Sequence, residues 1–159
     1  MTAGVTAGPG LVWALKRSFT DYVESMDDGV VEVAGGATRL PDGSFHFPPL
    51  PSPDPAVLRF GGTVTCSGHQ GMLVVRWADP EVLDHGGRRW LTVADEDEPG
   101  GRRTFLDLGG GTTDGATVRH PRPVLTALGA EVFFDTYRPG TVFDPVLLVL
   151  GTGAPAPAG

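Results

Sequence analysis

Two hydroxyl groups and one imidazole stand out for the chemistry they could do. Leu11, Leu15, Ser18 and Tyr22 follow one another at steps of four, three and four residues, the spacing of one face of a helix. That face is apolar apart from Ser18 and Tyr22, and side chains four apart on a helix lie beside one another. A serine hydroxyl next to a phenol gives an apolar strip a polar edge, which suits a flat ligand with a polar rim. His69 lies in Ser67-Gly68-His69-Gln70-Gly71, a tight connection between two alternating runs, and so falls at the tip of a hairpin. His46, His85 and His120 sit in no comparable pattern and read as structural or exposed. Cys66 points with the core residues of its run and reads as a buried, inert thiol.

Other chemistries find little support. No Gly-x-Ser-x-Gly elbow is present, and no Ser, His and Asp set has defensible geometry for a hydrolase. Gly109-Gly110-Gly111-Thr112-Thr113 is glycine-rich, but no Gly-Lys-Ser/Thr follows it, so it is not a phosphate loop. Asp95-Glu96-Asp97-Glu98 lacks the spacing and internal glycine of a calcium loop and reads as a solvated turn. With one cysteine in the chain, neither an internal disulfide nor a multi-cysteine metal site can form.

The elements that would position Tyr22 and His69 follow from periodicity. The spacing predicts a helix from about residue 10 to 26, stopped at Asp27-Asp28-Gly29, where glycine can take the left-handed cap. Val30 to Val33 and Phe45 to Phe47 read as short strands, and the proline tract from 48 to 55 as a stiff surface connection. Between Val57 and Cys66, Leu58, Phe60, Val64 and Cys66 alternate with Arg59, Thr63 and Thr65, a strand with one buried and one wet face. Met72 to Ala78 completes the hairpin. Strands are also predicted at Glu81 to Leu83, Arg89 to Ala94 and Thr104 to Leu108. Val124 to Phe134 reads as a strand breaking into a short helix, and Phe143 to Leu150 as a buried closing strand. The fold class is mainly β: an antiparallel β-sandwich-like domain with one N-terminal helix and a short second helix near residue 130. Residues 1–9 read as a loose arm, 10–150 as a single domain and 151–159 as a tail with no reason to order.

Composition narrows the function classes. The chain has 159 residues, enough for one domain with a real core. Its 12 basic and 19 acidic residues give a net charge of −7, a poor match to nucleic acid or an anionic membrane. Gly at 24 and Pro at 15 suit many short strands joined by turns. No apolar run approaches a membrane span. The first ten residues carry neither a basic start nor an apolar stretch, so no secretory signal is read, and the expectation is a cytoplasmic protein unless a leader has been removed.

Three segments together carry a family resemblance. Leu11-Val12-Trp13-Ala14-Leu15-Lys16-Arg17-Ser18-Phe19-Thr20-Asp21-Tyr22-Val23, then Gly61 to Leu73, then Phe133 to Val146 resemble, in order, motifs of the HtaA domains of actinobacterial haem uptake. The resemblance implies that Tyr22 is the axial ligand of a ferric haem b, since a phenolate is a hard anionic donor for iron(III). A free tyrosine has a pKa of about 10, so ligation at neutral pH needs the metal charge and a neighbour that favours the deprotonated oxygen. The resemblance makes His69 that neighbour. By position it also implies that Ser18 approaches a propionate and that Phe134 and Tyr137 cover the porphyrin face. The reading that follows is a haem-binding protein for uptake, storage or transfer, with a haem donor or acceptor protein as partner, and with a homodimer left open. A haem-dependent enzyme acting on peroxide or a small nitrogen compound through the same ligand is the alternative. A haem-free β interaction domain is the third reading.

Overall fold

The computed structural model describes residues 8–97, 100–133 and 136–150. The chain begins with β1 (Gly10–Trp13), α1 (Arg17–Ser25), β2 (Val30–Ala34), β3 (Thr38–Arg39), β4 (Phe45–Phe47) and β5 (Pro49–Leu50). It continues through β6 (Val57–Phe60), β7 (Thr63–Gly68), β8 (Leu73–Ala78), β9 (Glu81–His85), β10 (Arg88–Ala94) and β11 (Arg102–Gly109). β12 (Thr112–Asp114), β13 (Thr117–His120), β14 (Val124–Leu125), α2 (Ala127–Val132) and β15 (Val146–Val149) close it. Strands pair antiparallel in three sheets, ordered β12-β13-β15-β1-β4-β3, β14-β11-β10-β9-β6-β5 and β2-β7-β8. The fold is mainly antiparallel β with two helices, as composition and alternation predict.

The predicted helix over 10–26 is corrected at its front half. Residues 10–13 form β1, which lies between β15 and β4 with Leu11 opposite both Leu148 and Phe47, and Trp13 opposite Val146 and Phe45. Two strands, both distant in sequence, satisfy its backbone, and Leu11 and Trp13 are wholly buried. The chain then turns at Leu15, which takes φ 63, and only from Arg17 does it wind into α1. The helical spacing that linked Leu11 and Leu15 to Ser18 and Tyr22 therefore spans a strand and a turn. Leu15 is itself fully buried, and that burial offsets a left-handed backbone costing roughly 1–2 kcal/mol.

A second correction concerns the run from 57 to 66. It is two strands in two sheets, separated at Gly61 and Gly62. Gly62 has φ +120 and presses on Ala37, so that a side chain there would collide. Asp79 holds the break: its Oδ1 accepts the Gly62 N–H at 3.2 Å, and its own N–H donates to the Gly62 carbonyl at 2.8 Å. The alternation continued across the break because both strands bury one face in the same core. The proline tract is a surface connection whose Pro49 and Leu50 also form the edge strand β5 against β6. β2, predicted as a strand, is mostly exposed on the rim of its sheet.

The core is an aromatic herringbone. Trp13 packs edge-on against Trp77 at 6.5 Å and Phe105 at 6.0 Å between ring centroids, and Phe105 meets Phe143 at 5.5 Å. Such pairs add about 0.5–1.5 kcal/mol each beyond their buried area. The chain of rings runs on from Trp77 through Phe133 to Tyr137, at 6.1 Å and 4.9 Å, so one end of the core opens into the pocket described next.

Candidate functional site

Helix α1 is fixed in rotation by what it buries. Phe19, Thr20 and Val23 face the core, and positions 19 and 23 are one turn apart, which turns Ser18 and Tyr22 outward. Salt bridges hold both ends. Arg17 lies 3.6 Å from Asp42 and 3.4 Å from Asp144, and Glu24 takes a two-pronged contact from Arg39 at 2.8 and 3.0 Å. The Arg39 hydrogen bond keeps the Glu24 carboxyl below the usual carboxylate range. These pairs are partly exposed, so they orient the helix more than they stabilise it.

The hairpin of β7 and β8 forms as read from the alternation, with Gly68 opposite Leu73 at its closing end. His69–Gly71 make a single 3-10 turn at the tip. His69 Nε2 lies 2.6 Å from the Tyr22 hydroxyl, the ring centroids 5.9 Å apart. A neutral Nε2 accepts the phenol O–H; once the phenol loses its proton, a protonated Nε2 donates to the phenolate oxygen. The pair can thus hold the oxygen in either protonation state.

Beside the pair lies an open pocket of about 400 Å³ lined by Phe19, Tyr22, His69, Leu73, Phe133, Thr136 and Tyr137. Phe133 meets Phe19 at 5.2 Å and Tyr137 at 4.9 Å, making an aromatic floor. Tyr22 is 48% exposed, whereas Phe19 and Phe133 are buried. The Tyr137 phenol is pushed up from its ordinary value, first by burial and then by neighbouring Tyr22. Tyr137 is therefore held as the neutral phenol.

Of the residues expected from sequence, Tyr22, His69 and Tyr137 are brought together here. Ser18 is exposed one turn before Tyr22 but does not line the pocket, and Phe134 lies outside the described residues. Sequence reasoning missed Phe19, Leu73, Phe133 and Thr136. Phe133 stands beside the expected Phe134, and Phe19 is three residues before Tyr22, so helical stacking could have found it. Cys66 is fully buried, and burial pushes its thiol up to about 12, as fits an inert core residue. Among the described residues no cluster of three or more His, Cys, Asp or Glu could hold a bare metal ion. No described helix is long and apolar enough to cross a membrane.

Fold and site together define an antiparallel β-domain that presents a histidine-bonded tyrosine at the mouth of an aromatic pocket. The HtaA family model (Htaa) matches residues 9–149, and the chain belongs to that family. Among solved structures it is similar to the haem-binding protein HtaB of Corynebacterium glutamicum, at 22% identity and TM-score 0.70, covering 91% of this chain and 92% of that one. The N-terminal domain of HtaA from the same organism matches at 21% identity and TM-score 0.68, over 94% of this chain and all of that one. The C-terminal domain of that HtaA matches at 21% and 0.62, over 92% and 100%. At these identities the likeness is one of fold. No curated protein matches the chain.

Proposed function

We propose that this protein binds ferric haem b through the Tyr22 phenolate, for uptake, storage or transfer. The observation that carries the reading is the 2.6 Å contact between Tyr22 and His69 at the mouth of the aromatic pocket. Family membership supports it, as does similarity to a structure described as a haem-binding protein. The donor set fits the group. A half-exposed phenol offers a hard anionic oxygen, an imidazole within hydrogen-bond distance stabilises that oxygen once ionised, and Phe19, Phe133 and Tyr137 offer an apolar, aromatic wall. Ferric haem supplies the Lewis-acid iron that favours the phenolate. His69 then directs the oxygen, and Tyr137, held neutral, adds surface to the pocket without a competing anion.

The test is a hemin titration by absorbance at neutral pH, wild type beside Tyr22→Phe. One haem per chain with a high-spin ferric spectrum, lost in the variant, is the expected result. Absence of saturable binding in the wild type sinks the proposal; equal binding by both proteins sinks the assignment of Tyr22.

A further inference from the structure

The backbone that carries His69 is strained, and residues outside the turn grip it. His69 at φ 50 and Gln70 at φ 57 are consecutive non-glycine residues in the left-handed region, and Gly71 follows at φ 87. Side chains in that region crowd the following carbonyl, so such a turn persists only where its surroundings over-determine it. Asp28 supplies one constraint: its Oδ2 accepts the backbone N–H of Gln70 at 2.6 Å. Met26 supplies another, its thioether filling the space that a side chain on Gly68 would need. The connection from α1 to β2 thus straddles the turn, touching the residue before His69 and the residue after it. Tyr22 stands one turn before Met26, on the helix that leads into this connection. The tyrosine and the clamp on its hydrogen-bond partner are therefore parts of one local unit.

We infer that Asp28 is a positioning residue for the tyrosine–histidine pair: by holding Gln70 in its left-handed conformation it keeps the His69 imidazole against the Tyr22 oxygen. The inference rests on the haem reading for its hemin-release readout alone, because the His69 ring shifts report the turn and the pair directly. Asp28 is exposed and outside the pocket lining, so its effect runs through the turn.

The experiment compares wild type, Asp28→Asn, Asp28→Ala and Asp28→Ala with Gln70→Gly. It reads the ¹⁵N shifts of the His69 ring without ligand, and hemin release to excess apomyoglobin. Asp28→Ala is expected to move the His69 shifts toward those of an unengaged imidazole and to speed hemin release about tenfold, the scale on which groups that orient a metal ligand act. Asp28→Asn keeps an oxygen acceptor and stays near wild type. Gln70→Gly removes the cost of φ 57 and restores the shifts in the Asp28→Ala background. A folded Asp28→Ala protein with unchanged His69 shifts and release rate overturns the inference. Should that variant not fold, amide exchange in the wild type decides: a protected Gln70 N–H supports the clamp, and exchange at the open-chain rate refutes it. A wild type that binds no hemin defeats the haem reading while the ring shifts still judge Asp28.

Discussion

At the scale of single residues, the division of labour between Tyr22 and His69 predicts unequal losses. His69 hydrogen-bonds the Tyr22 oxygen, and in the proposed reading it supports that oxygen without itself being the ligand. Replacing it should weaken haem binding by roughly 10–100-fold, or about 1.4–2.7 kcal/mol. His69→Asn is the informative change, because asparagine tolerates a left-handed φ of 50 and removes the imidazole without unsettling the turn. Affinity measured by hemin titration should fall while stoichiometry stays at one. An unchanged affinity would show that the 2.6 Å contact contributes nothing to ligation. Tyr22 and His69 each stood out locally, but their pairing was legible only through motif resemblance, since 47 residues separate them and nothing local joins them. Phe19 was passed over although it stands three residues before Tyr22, the spacing at which helical side chains meet.

At the scale of elements, the hairpin was legible because alternation is a local signal. β1 was not, since its two partners lie at Phe45–Phe47 and Val146–Val149 and its helical spacing was coincidental. α2 was placed near residue 130 by the break in its strand pattern, and the structure adds what starts it. Thr126 is its N-cap: its Oγ1 accepts the Gly129 N–H at 2.9 Å and donates to the Thr104 carbonyl of β11 at 2.6 Å. One side chain both caps the helix and ties it to the neighbouring sheet. Thr126→Ala should cost about 1–2 kcal/mol, read as a lowered urea midpoint, while Thr126→Ser retains most of the stability. Since α2 leads directly into Phe133, the same alanine variant should loosen the aromatic floor and weaken hemin binding. Equal midpoints for the alanine and serine variants would remove Thr126 from this role.

At the scale of the whole molecule, acid should act on a group outside the pocket lining. His120 lies at the end of β13, is 2% exposed, and has no hydrogen-bond partner for either ring nitrogen among the described residues. It presses on Gly111, where any side chain would meet the imidazole. Burial first, and then neighbouring Arg89, lower its pKa below the ordinary 6.5. The folded chain therefore refuses a proton that the unfolded chain accepts. As pH falls through about 6.5, the unfolded state binds more protons and folding stability declines. The decline from this residue ends below the folded-state pKa, where both states are charged. Above 6.5 it contributes no slope. His120→Leu removes the titrating group from a buried site and fills much of its volume with an apolar side chain. Urea midpoints at pH 7.5 and pH 5 should differ less in His120→Leu than in wild type, with the two proteins close at pH 7.5. Identical differences in the two proteins would assign the acid sensitivity elsewhere. The distinction bears on the haem reading, because loss of hemin at low pH could follow either from protonation at Tyr22 or from loosening of the fold. A His120→Leu protein that still releases hemin in acid while its stability stays level would place the release at the ligand.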